Sequence, residues 1–355
     1  MMRTGRKNQV DGTIRCAVVG VGRMGQHHAR VYHELEGAEM VAVVDADFDR
    51  AEEVAEKYGV KAYSTIVEAL NDGQIEVATI AVPTIHHLSA ARPFLERGIP
   101  LLIEKPLAHN VRQAQQLVDL AVRTETMLQV GHIERYNPTI RALSKFDPIS
   151  PRFIEVHRVS PMTFRSLDVG VVLDVMIHDL DLLLMLTGSE PEEVQACGVA
   201  VLGTGEDVCN ARLVFPTGCV ANVTASRLAF KTERKIRIIA EDAYVSIDYA
   251  KKSGVVVRRT ANEERLAEVR AHLDAGHDLS DLDYTDAVNI DTLDIDDQDQ
   301  LELEISDFLE SVRTGNPPAA DARAGLSAVR TAQRIVESAR SHAANIGAES
   351  MSIPK

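Results

Sequence analysis

The chain has 355 residues, 45% of them hydrophobic, and a formal net charge of −15, which is enough to bury a large core and form two domains. No run of about 18 apolar residues occurs, which argues against a membrane span, and the polar stretch at the N-terminus has no apolar secretory core. Eleven Asp/Glu and no Lys or Arg fall between Gly276 and Glu304, leaving −4 for the rest; with no basic face, the composition argues against nucleic acid as a partner.

From Ile14 to Gly131 apolar runs and amphipathic segments alternate. Strands are predicted at Ile14–Val19, Met40–Val44, Lys61–Tyr63, Val77–Val82, Leu101–Ile103 and Met127–Val130. Between them come helices from Gly25 to about Glu36 and at Phe48–Tyr58, Thr65–Leu70, His87–Arg97 and Val111–Arg123. Repeated βα units of this length predict a parallel sheet with right-handed crossovers and helices on both faces. The rhythm then changes, with Pro138, Pro148, Pro151 and Pro161 as punctuation. A helix is predicted over Val171–Leu186, ended by Gly188. Strand-like runs follow at Val194–Val201, Asn210–Phe215, Cys219–Ser226, Lys235–Ala240 and Tyr244–Tyr249, with Pro216-Thr217-Gly218 as a hairpin turn. Consecutive strands without helices predict an open, mainly antiparallel sheet. The acidic stretch reads as a solvated loop with an edge segment and lacks the ligand spacing of a calcium loop, so no metal is expected. A last amphipathic helix is predicted at Ala322–Ala339. The expected architecture is α/β: a Rossmann domain over residues 1–132, then an α+β domain over 133–355 for substrate binding and oligomerisation. The four scattered cysteines, Cys16, Cys197, Cys209 and Cys219, read as buried reduced thiols of a cytosolic protein.

Gly20-Val21-Gly22-Arg23-Met24-Gly25 is a G-x-G-x-x-G placed after a buried strand and opening a helix. Gly20 permits the tight turn, Gly22 the approach of a pyrophosphate, and Gly25 close helix–strand packing. The helix N-terminus offers free N–H groups to the phosphates, with Arg23 and Met24 in its first turn. Asp45 stands twenty residues after Gly25, at the end of the second strand. A carboxylate there accepts from ribose hydroxyls and repels a 2′-phosphate, so NAD is expected rather than NADP.

Lys105, in Glu104-Lys105-Pro106, follows an apolar strand and so falls at the carboxyl edge of the sheet. A lysine there can hydrogen-bond a substrate hydroxyl and stabilise it as it loses a proton; a plain surface turn is the alternative, and a cis Pro106 bond is conceivable. In Val171–Asp181, Asp174 and His178 are four residues apart and share a face of an α-helix. That spacing predicts a carboxylate that orients a histidine base and raises its basicity.

These motifs together, with His28-Ala29, Pro83-Thr84-Ile85-His86-His87, Glu104–Leu107 and Asp181, resemble the Gfo/Idh/MocA family of NAD(P)-dependent sugar and polyol oxidoreductases over nearly the whole chain. The resemblance implies that Lys105 and His178 are the catalytic pair, assisted by Asp174. It also implies that Thr84 and His87, with Glu104 and Lys105, lie along the cofactor's path, and that Asp181 has a packing role. Met176 stands where the family commonly carries glycine, which predicts a bulkier helix near the substrate. With Gly131–Pro138 and Phe164–Asp181, it resembles the branch that oxidises C3 of UDP-N-acetylglucosamine toward lipid A. Arg135, Arg158 and Arg165 suit a diphosphate, and Tyr136 and Asn137 could add polar or stacking contacts; Lys105 and His178 would meet the same substrate. A dehydrogenase of free sugars or inositol, or a non-catalytic NAD-sensing regulator on the same fold, are the alternatives. A homodimer or homotetramer is expected through an apolar open face of the second sheet.

Overall fold

The computed structural model describes residues 12–162, 169–260 and 288–345, with single positions at 267, 271 and 274. Six short segments form the first sheet: β1 (Ile14–Val19), β2 (Ala38–Val44), β3 (Lys61–Tyr63), β4 (Val77–Ile80), β5 (Leu101–Glu104) and β6 (Leu128–Gly131). They are parallel in the order β3-β2-β1-β4-β5-β6. The order reverses at β1/β4, where ligands bind in such sheets beyond the strands' carboxyl ends. All four residues of β4 and five of the six in β1 are buried, as expected for strands with helices on both faces. Those helices are α1 (Arg23–Glu34), α2 (Phe48–Tyr58), α3 (Ile66–Asn71), α4 (His87–Leu95) and α5 (Val111–Arg123). Side chains of Asp47, Thr65 and Asn110 cap α2, α3 and α5 by accepting from N3 backbone N–H groups.

After α6 (Pro138–Leu143) the second sheet is assembled from β7 (Phe153–Val159), β8 (Glu193–Val199), β9 (Val208–Val214), β10 (Val220–Ser226), β11 (Glu233–Ile239), β12 (Ala243–Asp248), β13 (Ser253–Arg259) and β14 (Val288–Thr292). Its order is β14-β13-β12-β11-β7-β10-β9-β8, antiparallel except for the parallel β7/β10 pair. One face is sealed by α7 (Ile177–Thr187) and by α9 (Ala322–Asn345), which packs on α7 and β8. The other face carries cross-strand polar rows: Lys235–His157–Thr224–Asn210 and Arg237–Glu155–Asn222–Arg212. The expected apolar open face is therefore mostly polar, with an apolar corner at Tyr244, Val257 and Ile290. Cys197 is exposed, against expectation, while Cys16, Cys209 and Cys219 are buried thiols. No helix among the described residues is long and apolar enough to cross a membrane.

β7 lies at the centre of this sheet yet escaped the sequence reading, because Pro148, Pro151 and Pro161 frame it. Its alternating burial is unambiguous once seen. The acidic stretch is corrected more sharply. Its described part forms β14 and then α8 (Gln300–Thr314), whose Leu301, Ile305, Phe308 and Leu309 return to the first domain and pack with Tyr32 and Val43.

Glu304, on the buried face of α8, is fully buried, with both carboxylate oxygens unpartnered. Burial, reinforced by Glu104, Asp307 and Asp181, pushes its pKa well above the ordinary value. A group whose pKa is raised by folding stabilises fully below its unfolded pKa, about 4.3, and that contribution is lost as pH rises. Glu304→Gln is therefore expected to lift the unfolding midpoint progressively from about pH 5 upward. Thermal unfolding curves of the two proteins that stay parallel across pH would contradict this.

Candidate active site

The fingerprint turn is built as the residue types require. Gly20 adopts φ 85°, and a Cβ there would lie 2.7 Å from the Val82 nitrogen. A Cβ on Gly25 would lie 1.8 Å from the Gly20 carbonyl oxygen, whereas one on Gly22 meets nothing within 4 Å. Open space at Gly22 above the α1 N-terminus is the cradle a pyrophosphate needs. Beyond it lies a cavity of about 640 Å³ whose lining includes Gly20, Gly22, Arg23, Met24 and Asp45. The Asp45 carboxylate accepts from Val21 N at 2.8 Å and Asp47 N at 3.0 Å, at the cavity's wall. The residues present fit NAD.

Several lining residues escaped the sequence reading. Arg50, Ser64, Ile66, Pro83, His86 and Ser89 also face the cavity. The available signal was topological: the segments after β2, β3 and β4 all emerge at the same sheet edge. Gly25 packs beneath the cavity instead of lining it. Thr84 follows the lining Pro83, and His87 is buried, Nε2 lying 3.0 Å from the Val82 carbonyl and Nδ1 3.3 Å from that of Leu107. Burial holds the His87 pKa down, and the neutral ring, with a single N–H, can donate to one of these two carbonyls at a time.

Replacing Asp45 by Ser should relax the preference for NAD over NADP roughly tenfold, since the repulsion on a 2′-phosphate is removed and Arg50, which lies 3.4 and 3.5 Å from the Asp45 carboxylate oxygens, is released from it. A charged hydrogen bond to the ribose, about 1.5–3 kcal/mol, is lost at the same time. Titration of both cofactors checks this, and an unchanged ratio of affinities would refute it.

Lys105 leaves the end of β5 through a cis Lys105–Pro106 bond. Glu104, next to it, turns inward: its Oε1 lies 2.8 Å from His28 Nε2 on α1, and its Oε2 accepts from Lys105 N at 3.2 Å. Burial opposes ionisation of Glu104, yet the hydrogen bond to His28 and the charges of His28 and Lys105 hold its pKa below the ordinary value. Glu104 thus braces the lysine from behind, and neither Glu104 nor Lys105 lines the cofactor cavity.

Across the domain junction, residues Val172–Met176 form a π-helical turn ahead of α7, closed by Ile177 N donating to Val172 O. The turn is anchored at its start by Glu206, whose main-chain and side-chain oxygens accept from Val171 N at 2.8 Å and Val172 N at 3.1 Å. The widened turn changes the relation of Asp174 to His178. Lys105 Nζ donates to the Asp174 main-chain oxygen at 2.7 Å and to its Oδ1 at 3.2 Å. Asp174 therefore holds Lys105, and makes no hydrogen bond to His178 among the described residues.

His178, one turn on, is partly buried, with Nδ1 sealed and unpartnered. Burial first, then the positive charges of Lys105, Arg158, His132 and Arg234, hold its pKa well below the ordinary value. The expected rise in basicity is reversed: the site keeps the ring neutral. A neutral imidazole beside a fixed ammonium is a proton acceptor next to an electrostatic clamp.

The residues expected to meet a diphosphate are largely committed elsewhere. Arg158 is buried and gripped by Asp179, at 2.6 and 2.8 Å, and by Glu134 at 2.8 Å. Arg135 donates twice to Asp181 at 2.6 Å and also to the Ala319 carbonyl. Tyr136 donates to Asp307 at 2.6 Å. Asn137 donates to Glu134 and caps α6 through Thr139 N. Together they form a buried polar seam between the domains, with Asp181 inside it as a packing residue. Arg165 lies outside the described residues. Met176 is fully buried in the core of the second domain, so it does not crowd the substrate. His132 has both ring nitrogens buried without hydrogen-bond partners, with Nε2 3.8 Å from Asp181.

A dinucleotide cradle at a sheet switch point, together with a lysine at the end of the neighbouring strand β5 that is held by Asp174, four residues before a neutral histidine, defines a nicotinamide-dependent oxidoreductase. The chain belongs to the Gfo/Idh/MocA oxidoreductase family: residues 14–132 match its NAD-binding Rossmann fold and residues 162–346 its C-terminal α/β domain. It is 31% identical over 322 residues to the UDP-N-acetylglucosamine 3-dehydrogenase of Acidithiobacillus ferrooxidans, covering 91% of this chain and 96% of that protein. A crystal structure of that enzyme superposes with a TM-score of 0.80 over 92% of this chain and 97% of the other. The scyllo-inositol 2-dehydrogenase of Bacillus subtilis is 30% identical over 230 residues, covering 60% of this chain and 67% of its own. Levoglucosan dehydrogenase in complex with NADH and levoglucosan shares the fold at 17% identity, with a TM-score of 0.78 over 92% of this chain and 97% of its own.

Proposed function

We propose that this chain oxidises a secondary hydroxyl of a sugar nucleotide to a ketone, with C3 of UDP-N-acetylglucosamine as the substrate position. The observation that carries the substrate is the 31% identity to the A. ferrooxidans enzyme over 91% of this chain, against 24% over 89% for a myo-inositol 2-dehydrogenase of Thermotoga maritima. NAD, when bound in the cavity beside Gly22 and Asp45, supplies the two-electron acceptor. His178 accepts the hydroxyl proton on its open ring nitrogen. Lys105 donates a hydrogen bond to the same oxygen and stabilises the negative charge that develops there. Asp174 fixes the lysine's ammonium; Glu104 and His28 fix the backbone it springs from.

The 3-keto product is an electrophile suited to an aminotransferase, and the same proposal has the step prepare an aminated sugar nucleotide for lipid A in the cytoplasm. A homodimer or homotetramer through the uncovered face of the second sheet is part of the same reading. Its basis is now the ordered polar rows and the apolar corner; light scattering that gives a monomer would refute it. Purified protein with NAD should produce reduced cofactor from UDP-N-acetylglucosamine, amplified by a coupled aminotransferase. Turnover of myo-inositol in place of the nucleotide sugar would favour the polyol alternative and overturn the proposal.

A further inference from the structure

A substrate diphosphate needs cations at the cleft, and the two described arginines expected to supply them are tied to carboxylates in the seam. Another guanidinium stands where they were sought. Arg234 pairs across the sheet with Arg158, in the register Arg234↔Arg158 of β11 and β7. By strand alternation it shares a face with Ile236 and Ile238, which pack in the same core as Leu180 and Leu183 of α7. It thus projects on the side of the sheet that holds His178, just beyond the end of the apolar core. Arg158, its cross-strand neighbour, grips Asp179, the residue that follows His178. Unlike Arg158, Arg234 is exposed and makes no side-chain hydrogen bond or ion pair among the described residues. Its charge is nevertheless felt at His178. Its charge is felt at Glu134 and Asp179 as well, and because Lys105 is held by Asp174, Arg234 is the exposed guanidinium on the His178 side of the sheet that is left to attract an anion.

We propose that Arg234 receives the diphosphate of the substrate while the sugar lies against Lys105 and His178. The inference rests on the sugar-nucleotide reading above and deepens it, since it names the group that separates a nucleotide sugar from a neutral polyol. A guanidinium presents paired N–H donors that match phosphate oxygens, which Lys replaces only as a point charge.

UDP is the probe, titrated calorimetrically into the NAD-loaded protein. Arg234→Gln should weaken UDP binding roughly 10- to 100-fold, the value of a charge-assisted hydrogen bond, and Arg234→Lys should restore part of the loss. NAD affinity should not change. Turnover of UDP-N-acetylglucosamine should show the loss in KM more than in kcat. The acid limb of kcat/KM should also move upward in Arg234→Gln, because a positive neighbour of His178 is gone. If the unaltered protein binds UDP and Arg234→Gln binds it equally well, the assignment of Arg234 falls and the sugar-nucleotide reading stands. If the unaltered protein binds no UDP at millimolar concentration yet oxidises a neutral polyol, both fall together.

Discussion

Replacing His178 by Ala is expected to cut turnover roughly 100- to 10,000-fold, the range a positioned general base contributes, while NAD binding is unaltered. The separation of the two effects follows from the geometry. His178 opens α7 in the second domain, whereas the cofactor cavity is walled by the ends of β1, β2 and β4. The pH profile carries a further signature. Burial and the positive charges of Lys105 and Arg158 disfavour the imidazolium, so His178 stays unprotonated well below its ordinary pKa of 6.5. The acid limb of kcat/KM should accordingly lie below pH 6.5 in the wild type. An acid limb above that value would show that the buried, positively flanked ring is not the titrating base.

Lys105→Met should lower turnover by roughly 100- to 1,000-fold, in line with losing one donor aimed at a developing oxyanion. Met keeps much of the side chain's length and apolar stem but cannot donate. The loss should appear in kcat and kcat/KM alike, since the bond strengthens as the hydroxyl oxygen gains charge. Asp174→Asn tests the hold on that lysine. If Asp174 fixes the ammonium, its loss should be smaller than that of Lys105→Met, and adding it to Lys105→Met should cost little more. Two independent, additive losses would mean that Asp174 acts on His178 after all.

The first domain was legible because its signals are local. Gly20 and Gly25 answer steric demands within the fold, Gly22 leaves the open space a pyrophosphate needs, and Asp45 falls at the required distance down the chain. Lys105 and His178 were legible as residue types in context. Their relation was not, because Asp174 and His178 look like neighbours only on a regular α-helix. The π-helical turn at Val172–Met176 is set by tertiary anchors on Glu206, about thirty residues further along the chain, and no periodicity announces it. Arg135 and Arg158 misled for the same reason: a sequence shows guanidinium groups but not the buried Asp181, Asp179 and Glu134 that claim them. Met176 likewise broke the family pattern for packing, not for specificity. In α8 the apolar spacing of Leu301, Ile305, Phe308 and Leu309 was present all along. It was outweighed by the surrounding acidic residues, one of which, Glu304, turned out to be among the most deeply buried groups.

The central claim, that this site removes hydrogen from C3 of a nucleotide sugar, is tested most directly with UDP-N-acetylglucosamine deuterated at C3. Incubation of the purified protein with this substrate and NAD, followed by mass spectrometry of the cofactor, should find the label in the reduced nicotinamide. Reduced cofactor without the label, or no reduction while the protein holds NAD and an aminotransferase draws off the ketone, would contradict the account.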